Sequence, residues 1–301
     1  MLVLEYIAGG ELLDVVNSDE QHAQLSEPLL RRIYRELVSA VEWMHARFVV
    51  HRDIKLESTL ILSQEKLNGS HPAADILLTS NPFVSLPTKN NPLVKLTDFG
   101  LSRKIDPEDP WLSTRCGSES YAAPELLVAA HSTTIDVESP LPSLSRAPSD
   151  AHSSTTHPHH TTYLSASTPH HTKPPRARTP GTYDGRETDA WALGVVLFAL
   201  VTRALPFDPP LMLDAPPTDA DAERTRRRWV LRVVRGEWAW PAQPEQQEGT
   251  EGEVVRGAQL VRLMAVRDVV ARLLVSDPRR RAPVGALWDE PWMRHGEAVM
   301  P

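Results

Sequence analysis

The sequence predicts an α+β fold dominated by helices, with β-structure confined to short hairpins, and three observations predict it. Leu30, Ile33, Tyr34, Leu37, Val41 and Met44 recur at three- and four-residue spacing, the period of one face of a long helix. Residues 189–201 are apolar on nearly every side, as a helix in the middle of a core must be. The β-favouring runs, by contrast, are short: Val49-Val50, Leu60-Ile61-Leu62 and Leu93-Val94-Lys95-Leu96-Thr97.

The elements follow in order. Met1-Leu2-Val3-Leu4-Glu5-Tyr6 alternates like a strand, Gly9 and Gly10 break it, and Glu11-Leu12-Leu13-Asp14-Val15-Val16 begins a helix. Ser26 is the expected N-cap of the long helix, with Pro28 in its first turn. A charged loop, His51-Arg52-Asp53, precedes two short strands expected at 60–62 and 93–97. Amphipathic helices are expected over 224–235 and 258–274.

Two stretches supply too little apolar surface to offset about 1–2 kcal/mol per residue of ordering entropy. They are 63–92, rich in Asn, Pro and Ser, and 132–182, dominated by Ser, Thr, Pro and His; both read as disordered, mobile inserts. Residues 209–222 and 244–253 read as surface loops. The expected division is a strand remnant at 1–10 followed by one lobe over 11–298.

Composition narrows the classes. With 301 residues, 41% of them hydrophobic, the chain can bury a sizeable core. A net charge of −7 makes no general case for a nucleic-acid or membrane partner. Cys116 is the single cysteine, so no intrachain disulfide forms and a reducing compartment, cytoplasm or nucleus, is expected. No apolar run reaches the roughly 20 residues of a membrane span, and the start lacks the basic region and cleavage site of a signal peptide. The histidines between 131 and 171 are irregularly spaced in a Ser/Thr/Pro background, which reads as part of an insert rather than a zinc site. The arginines of 224–235 read as a solvated helix face, with an acidic partner as the alternative.

Three short motifs carry the chemistry. His51-Arg52-Asp53-Ile54-Lys55-Leu56-Glu57-Ser58, Asp98-Phe99-Gly100 and Ala123-Pro124-Glu125 occur in this order, and the chain resembles the serine/threonine protein kinase family in them. The similarity extends to LVLEYIAGGEL, like a kinase hinge, to YDGRETDAWALGV, like the central helix, and to LLVSDPRRR, so that it covers residues 1 to about 295 apart from the inserts. It implies a protein kinase-like fold, here the large lobe, with the small lobe expected to be absent beyond the hinge strand.

What the resemblance implies for the residues is specific. Asp53 would accept the proton of the substrate hydroxyl, and Lys55 would face the transferred phosphate. Asp98 would hold Mg²⁺, while Ser58 stands where the family has an asparagine as ligand of a second metal, which puts that site in question. Leu4, Glu5, Tyr6, Ile7 and Glu11 would line the ATP site from the hinge, with Leu60 as its floor. Lys55 and Ser118 point to a serine or threonine acceptor, since Ser118 would bridge Asp53 and Lys55 by its hydroxyl. Glu11 and Glu57 match carboxylates that hold an arginine of basic substrates, or are solvated charges. Thr114 matches the activating phosphorylation site of the AMP-activated and calcium/calmodulin-dependent kinase group, with Ser113 as rival; an upstream kinase would modify it, and Arg52 would pair with the phosphate. His51, Phe99, Glu125, Asp189 and Arg281 would be structural, the last two capping the catalytic loop and pairing with Glu125 respectively.

The Gly-rich loop, strand lysine and helix glutamate of a kinase small lobe find no match here. Two expectations follow: a truncated kinase without activity of its own, or a non-catalytic scaffold derived from one.

Overall fold

In the computed structural model, residues 10–56, 76–78, 92–131, 177–207, 219–242 and 254–294 are described. The helices among them are α1 (Leu12–Asn17), α2 (Asp19–Gln24), α3 (Glu27–His45), α4 (Pro124–His131), α5 (Gly185–Thr202), α6 (Asp219–Arg235), α7 (Met264–Leu273) and α8 (Pro291–Arg294). The strands are β1 (Val49–Val50), β2 (Ile76–Leu78), β3 (Val94–Leu96), β4 (Arg103–Lys104), β5 (Trp111–Leu112) and β6 (Tyr183–Asp184). They pair only as two-stranded antiparallel ribbons, β1 with β4, β2 with β3 and β5 with β6. None of the described helices is long and apolar enough to cross a membrane.

The core is organised around α5, whose residues Trp191 to Val201 are all buried. α3 and α7 pack against it, as does a 3-10 turn at Gly257–Arg262. α3 presents Leu30, Ile33, Tyr34, Leu37, Val38, Val41 and Met44 inward, each burial contributing about 1.5–3 kcal/mol. Its Glu36 holds β3 by accepting from the Leu93 and Val94 amides, the latter at 2.9 Å.

Several expectations shift. Ser26 occupies the N-cap of α3 but its side chain makes no cap bond; the residue forms a β-bridge with Arg256 instead, while Ser18 caps α2. The strand opposite β3 is Ile76–Leu78, so the stretch 63–92 read as an insert contains an ordered strand; the run at 60–62 lies outside the described residues. α6 starts at Asp219, inside the stretch read as a loop, and within 132–182 residues 177–182 are described, with a turn closed by the Thr182 amide donating to the Thr179 carbonyl at 3.2 Å. The helix expected over 258–274 is broken at an extended Leu263. In one continuous helix Leu260 would point away from the face carrying Val266, Val269, Val270 and Leu273, and the break lets both sets bury.

Candidate active site

The loop that follows β1 is anchored by burial at both ends. His51, Ile54, Lys55 and Leu56 are buried, which leaves Arg52 and Asp53 as its half-buried pair. Asp189, in the second turn of buried α5, grips the loop backbone. Its Oδ2 accepts from the His51 amide (2.9 Å) and from His45 Nε2 (2.9 Å), and its Oδ1 accepts from the Arg52 amide (2.8 Å). A buried carboxylate with three donors is fully satisfied, so it fixes the loop without a stranded charge. The Leu56 amide donates to the Tyr121 hydroxyl at 3.3 Å, closing the loop's other end.

Asp53 is held from two sides. Lys55 Nζ lies 2.6 Å from its Oδ2, and the Ser118 backbone amide donates to its Oδ1 at 2.7 Å. Ser118 therefore reaches Asp53 through its amide, not through the hydroxyl the sequence suggested. Gly117 makes that approach feasible: at φ +100°, a Cβ there would meet the Arg52 carbonyl oxygen at 2.4 Å. Gly117 was missed in the sequence, where only the φ-permissive character of glycine could have marked it.

The Asp98 loop is tied to the same place. His51 Nε2 donates to the Thr97 carbonyl at 2.9 Å, and Arg52 Nε donates to the Leu101 carbonyl at 2.7 Å. The residues just before Asp53 thus bind on either side of Asp98. Asp98 adopts a left-handed conformation (φ 56°), and its Oδ1 accepts from the Gly100 amide at 3.2 Å, capping the 3-10 turn Phe99–Leu101. The Phe99 ring lies 5.2 Å from that of His51.

Exposed Thr114 stands beside a cation. Its carbonyl accepts from the Tyr183 hydroxyl (2.6 Å) and from Arg52 Nη1 (3.5 Å), and the same guanidinium donates to the Tyr183 oxygen at 3.4 Å. Burial is the largest cause of a raised Tyr183 pKa, so the phenol stays a donor. Tyr183 too was unmarked in the sequence.

Glu125 and Arg281 form a bidentate pair at 2.8 and 2.9 Å, both side chains almost wholly buried. Arg281 further donates to the carbonyls of Glu187 (2.6 Å) and Val275 (3.0 Å). Glu11 sits at the N-cap of α1. Leu4, Glu5, Tyr6, Ile7, Glu57, Ser58 and Leu60 lie outside the described residues, so no described contact joins Glu11 to Glu57.

Among the described residues there is no cluster of three or more metal-binding side chains. The exposed Asp98 carboxylate, with one oxygen engaged by an amide, suits a hard cation that keeps water and phosphate oxygens for its remaining ligands.

Residues 1–139 match the family model described as Protein kinase domain. The chain is 28% identical over 241 residues to Serine/threonine-protein kinase PRR1 of Saccharomyces cerevisiae, covering 79% of this chain and 32% of that protein. It is 25% identical over 301 residues to CBL-interacting serine/threonine-protein kinase 16 of Arabidopsis thaliana, covering 97% and 40%. To human NUAK family SNF1-like kinase 1 it is 25% identical over 296 residues, covering 98% and 27%. The chain thus spans well under half the length of these relatives.

Proposed function

Because residues 1–139 match the protein kinase domain model and the relatives matched over most of this chain are serine/threonine-protein kinases, we propose that it serves phosphoryl transfer from ATP to a serine or threonine hydroxyl of a protein substrate. One observation carries the reading: Asp53 is fixed by Lys55 and the Ser118 amide on a loop whose preceding residues are bonded to both flanks of Asp98. A carboxylate held this way accepts the proton leaving a substrate hydroxyl, an effect worth about 10²–10⁴ in rate. Lys55 supplies positive charge beside that oxygen and orients the base. Asp98 would hold Mg²⁺, and Mg²⁺–ATP, when bound, provides the transferable phosphoryl group with its charge screened.

The second metal ligand has two candidates. Ser58 is the position five after Asp53. Ile76 pairs with Leu96, however, so the chain enters β2 at the end of the ribbon where β3 leaves for Asp98, and the acid just before that entry is Asp75. Both lie outside the described residues. Glu11 and Glu57 support a preference for arginine-containing substrates, and the Arg52 guanidinium beside Thr114 supports control by phosphorylation there or at Ser113.

The test is incorporation of labelled phosphate into an arginine-rich serine peptide by the chain joined to any small-lobe segment its gene encodes. Asp53→Asn is expected to abolish it, and Asp75→Ala to reduce it more than Ser58→Ala. Incorporation untouched by Asp53→Asn would refute the reading. No incorporation together with no Mg²⁺–ATP thermal shift would favour a non-catalytic scaffold.

A further inference from the structure

The arginines of α6 are not spread around the helix. Trp229, Val230 and Val233 are buried and define its inner face. At about 100° per residue, Arg224, Arg227, Arg228, Arg232 and Arg235 all fall within an outward arc of about 140° opposite that face. All five are exposed. Arg226, which points the other way, is instead paired with Glu119 at 2.6 Å, beside the segment carrying Ser118. Arg224 meets Asp221 at 3.2 Å and Arg235 meets Glu237 at 3.5 Å, both surface pairs of little strength. The side chains of Arg227, Arg228 and Arg232 make no hydrogen bond or ion pair among the described residues.

Five guanidinium groups on one stripe repel one another, and this in a chain of net charge −7. Neither helix propensity nor packing requires the stripe, because the buried face already anchors α6. We infer that the outward face of α6 is a docking surface for an acidic segment of a protein partner, in which aspartate or glutamate side chains alternate along an extended chain. The spacing fits that occupant. Arg224, Arg228 and Arg232 follow one another at four-residue steps, about 6 Å along the helix axis. Alternate side chains of an extended peptide lie on one side about 6–7 Å apart, so each carboxylate meets one forked guanidinium. Half-buried Leu231 lies within the same arc and offers an apolar contact between the charges. Nucleic acid fits less well: the stripe carries no aromatic side chain on which bases stack, and the chain as a whole repels phosphate. The surface is independent of the chemistry at Asp53, so it survives failure of the kinase reading.

The experiment is fluorescence anisotropy with the purified 301-residue chain and a labelled Glu-Ser repeat peptide, at low and physiological salt. The chain is expected to bind the peptide with salt-sensitive affinity. Arg227→Gln/Arg228→Gln/Arg232→Gln is expected to weaken binding about tenfold, and the corresponding triple Glu variant more, with circular dichroism unchanged. A matched variant of exposed residues elsewhere, Arg103→Gln/Lys104→Gln/Arg280→Gln, is expected to change it by less than about twofold. Equal loss in both triple variants, no binding by the parent chain, or tighter binding of a duplex DNA probe than of the peptide would each overturn the proposal.

Discussion

Glu187 sits in the first turn of α5, and its Oε2 is buried without a hydrogen-bond partner among the described residues. Burial, then the nearby carboxylates of Asp184 and Glu125, push its pKa from 4.5 to about 7, against the smaller opposing pull of Arg178 and Arg281. The sign follows from proton linkage. Between about pH 4.5 and 7 the folded chain binds this proton and the unfolded chain does not, so stability falls as pH rises through that window. The loss is of order 1–3 kcal/mol. Glu187→Gln, which cannot ionise, should flatten the melting temperature between pH 5 and 8 relative to the parent; parallel curves would contradict this account. At this scale the sequence exposed Asp53, Lys55 and Asp98 through their fixed order and charge. It hid Gly117, Tyr183 and the Glu187 environment, because each depends on which distant backbone passes close by. Ser118 shows the same limit: its type was legible, but which of its donors faces Asp53 was not.

Elements with strong periodicity or a long apolar run were legible; of the short strands, β1 and β3 were legible and β2 was not. α3 buries the residues its spacing indicated and α5 buries its continuous apolar run, since eighteen or more residues average out local exceptions. The sequence did not mark Ile76-Leu77-Leu78 as a strand because it is equivalent to Leu60-Ile61-Leu62 as an isolated apolar triplet, and only pairing with β3 singles it out. Packing between elements also sets one opposition that propensity alone misjudges. Gly194 lies in the middle of α5, where helix propensity favours Ala by about 1 kcal/mol. A Cβ there would come within 2.8 Å of Leu273 Cβ and 3.0 Å of Leu274 Cδ2, the buried last residue of α7 and its C-cap. Overpacking of this kind costs about 1–3 kcal/mol, so it should outweigh the propensity gain. Gly194→Ala is therefore expected to lower the urea midpoint, and a raised midpoint would show that α7 moves aside at little cost.

At the scale of the whole molecule, the mainly helical lobe with short ribbons was legible because it follows from where apolar residues are continuous and where they are brief. How its parts are fastened was legible only as a pair of residue types far apart in the chain. Arg281 joins three of them: α4 through Glu125, α5 through the Glu187 carbonyl and the face of Trp191 at 5.0 Å, and the segment after α7 through the Val275 carbonyl. With both side chains nearly inaccessible, neither partner tolerates loss of the other. Arg281→Met should cost about 3–5 kcal/mol by stranding the Glu125 carboxylate, whereas Glu125→Leu/Arg281→Met, which removes both charges, should cost markedly less than the two single changes added together. The cycle is read by urea denaturation with each variant's slope compared to the parent's, because a changed slope would mean that the lobe no longer unfolds as one unit. Additive costs in the cycle would mean that Arg281 acts through its carbonyl and Trp191 contacts alone, and that the Glu125 end of α4 is fastened by something other than this pair.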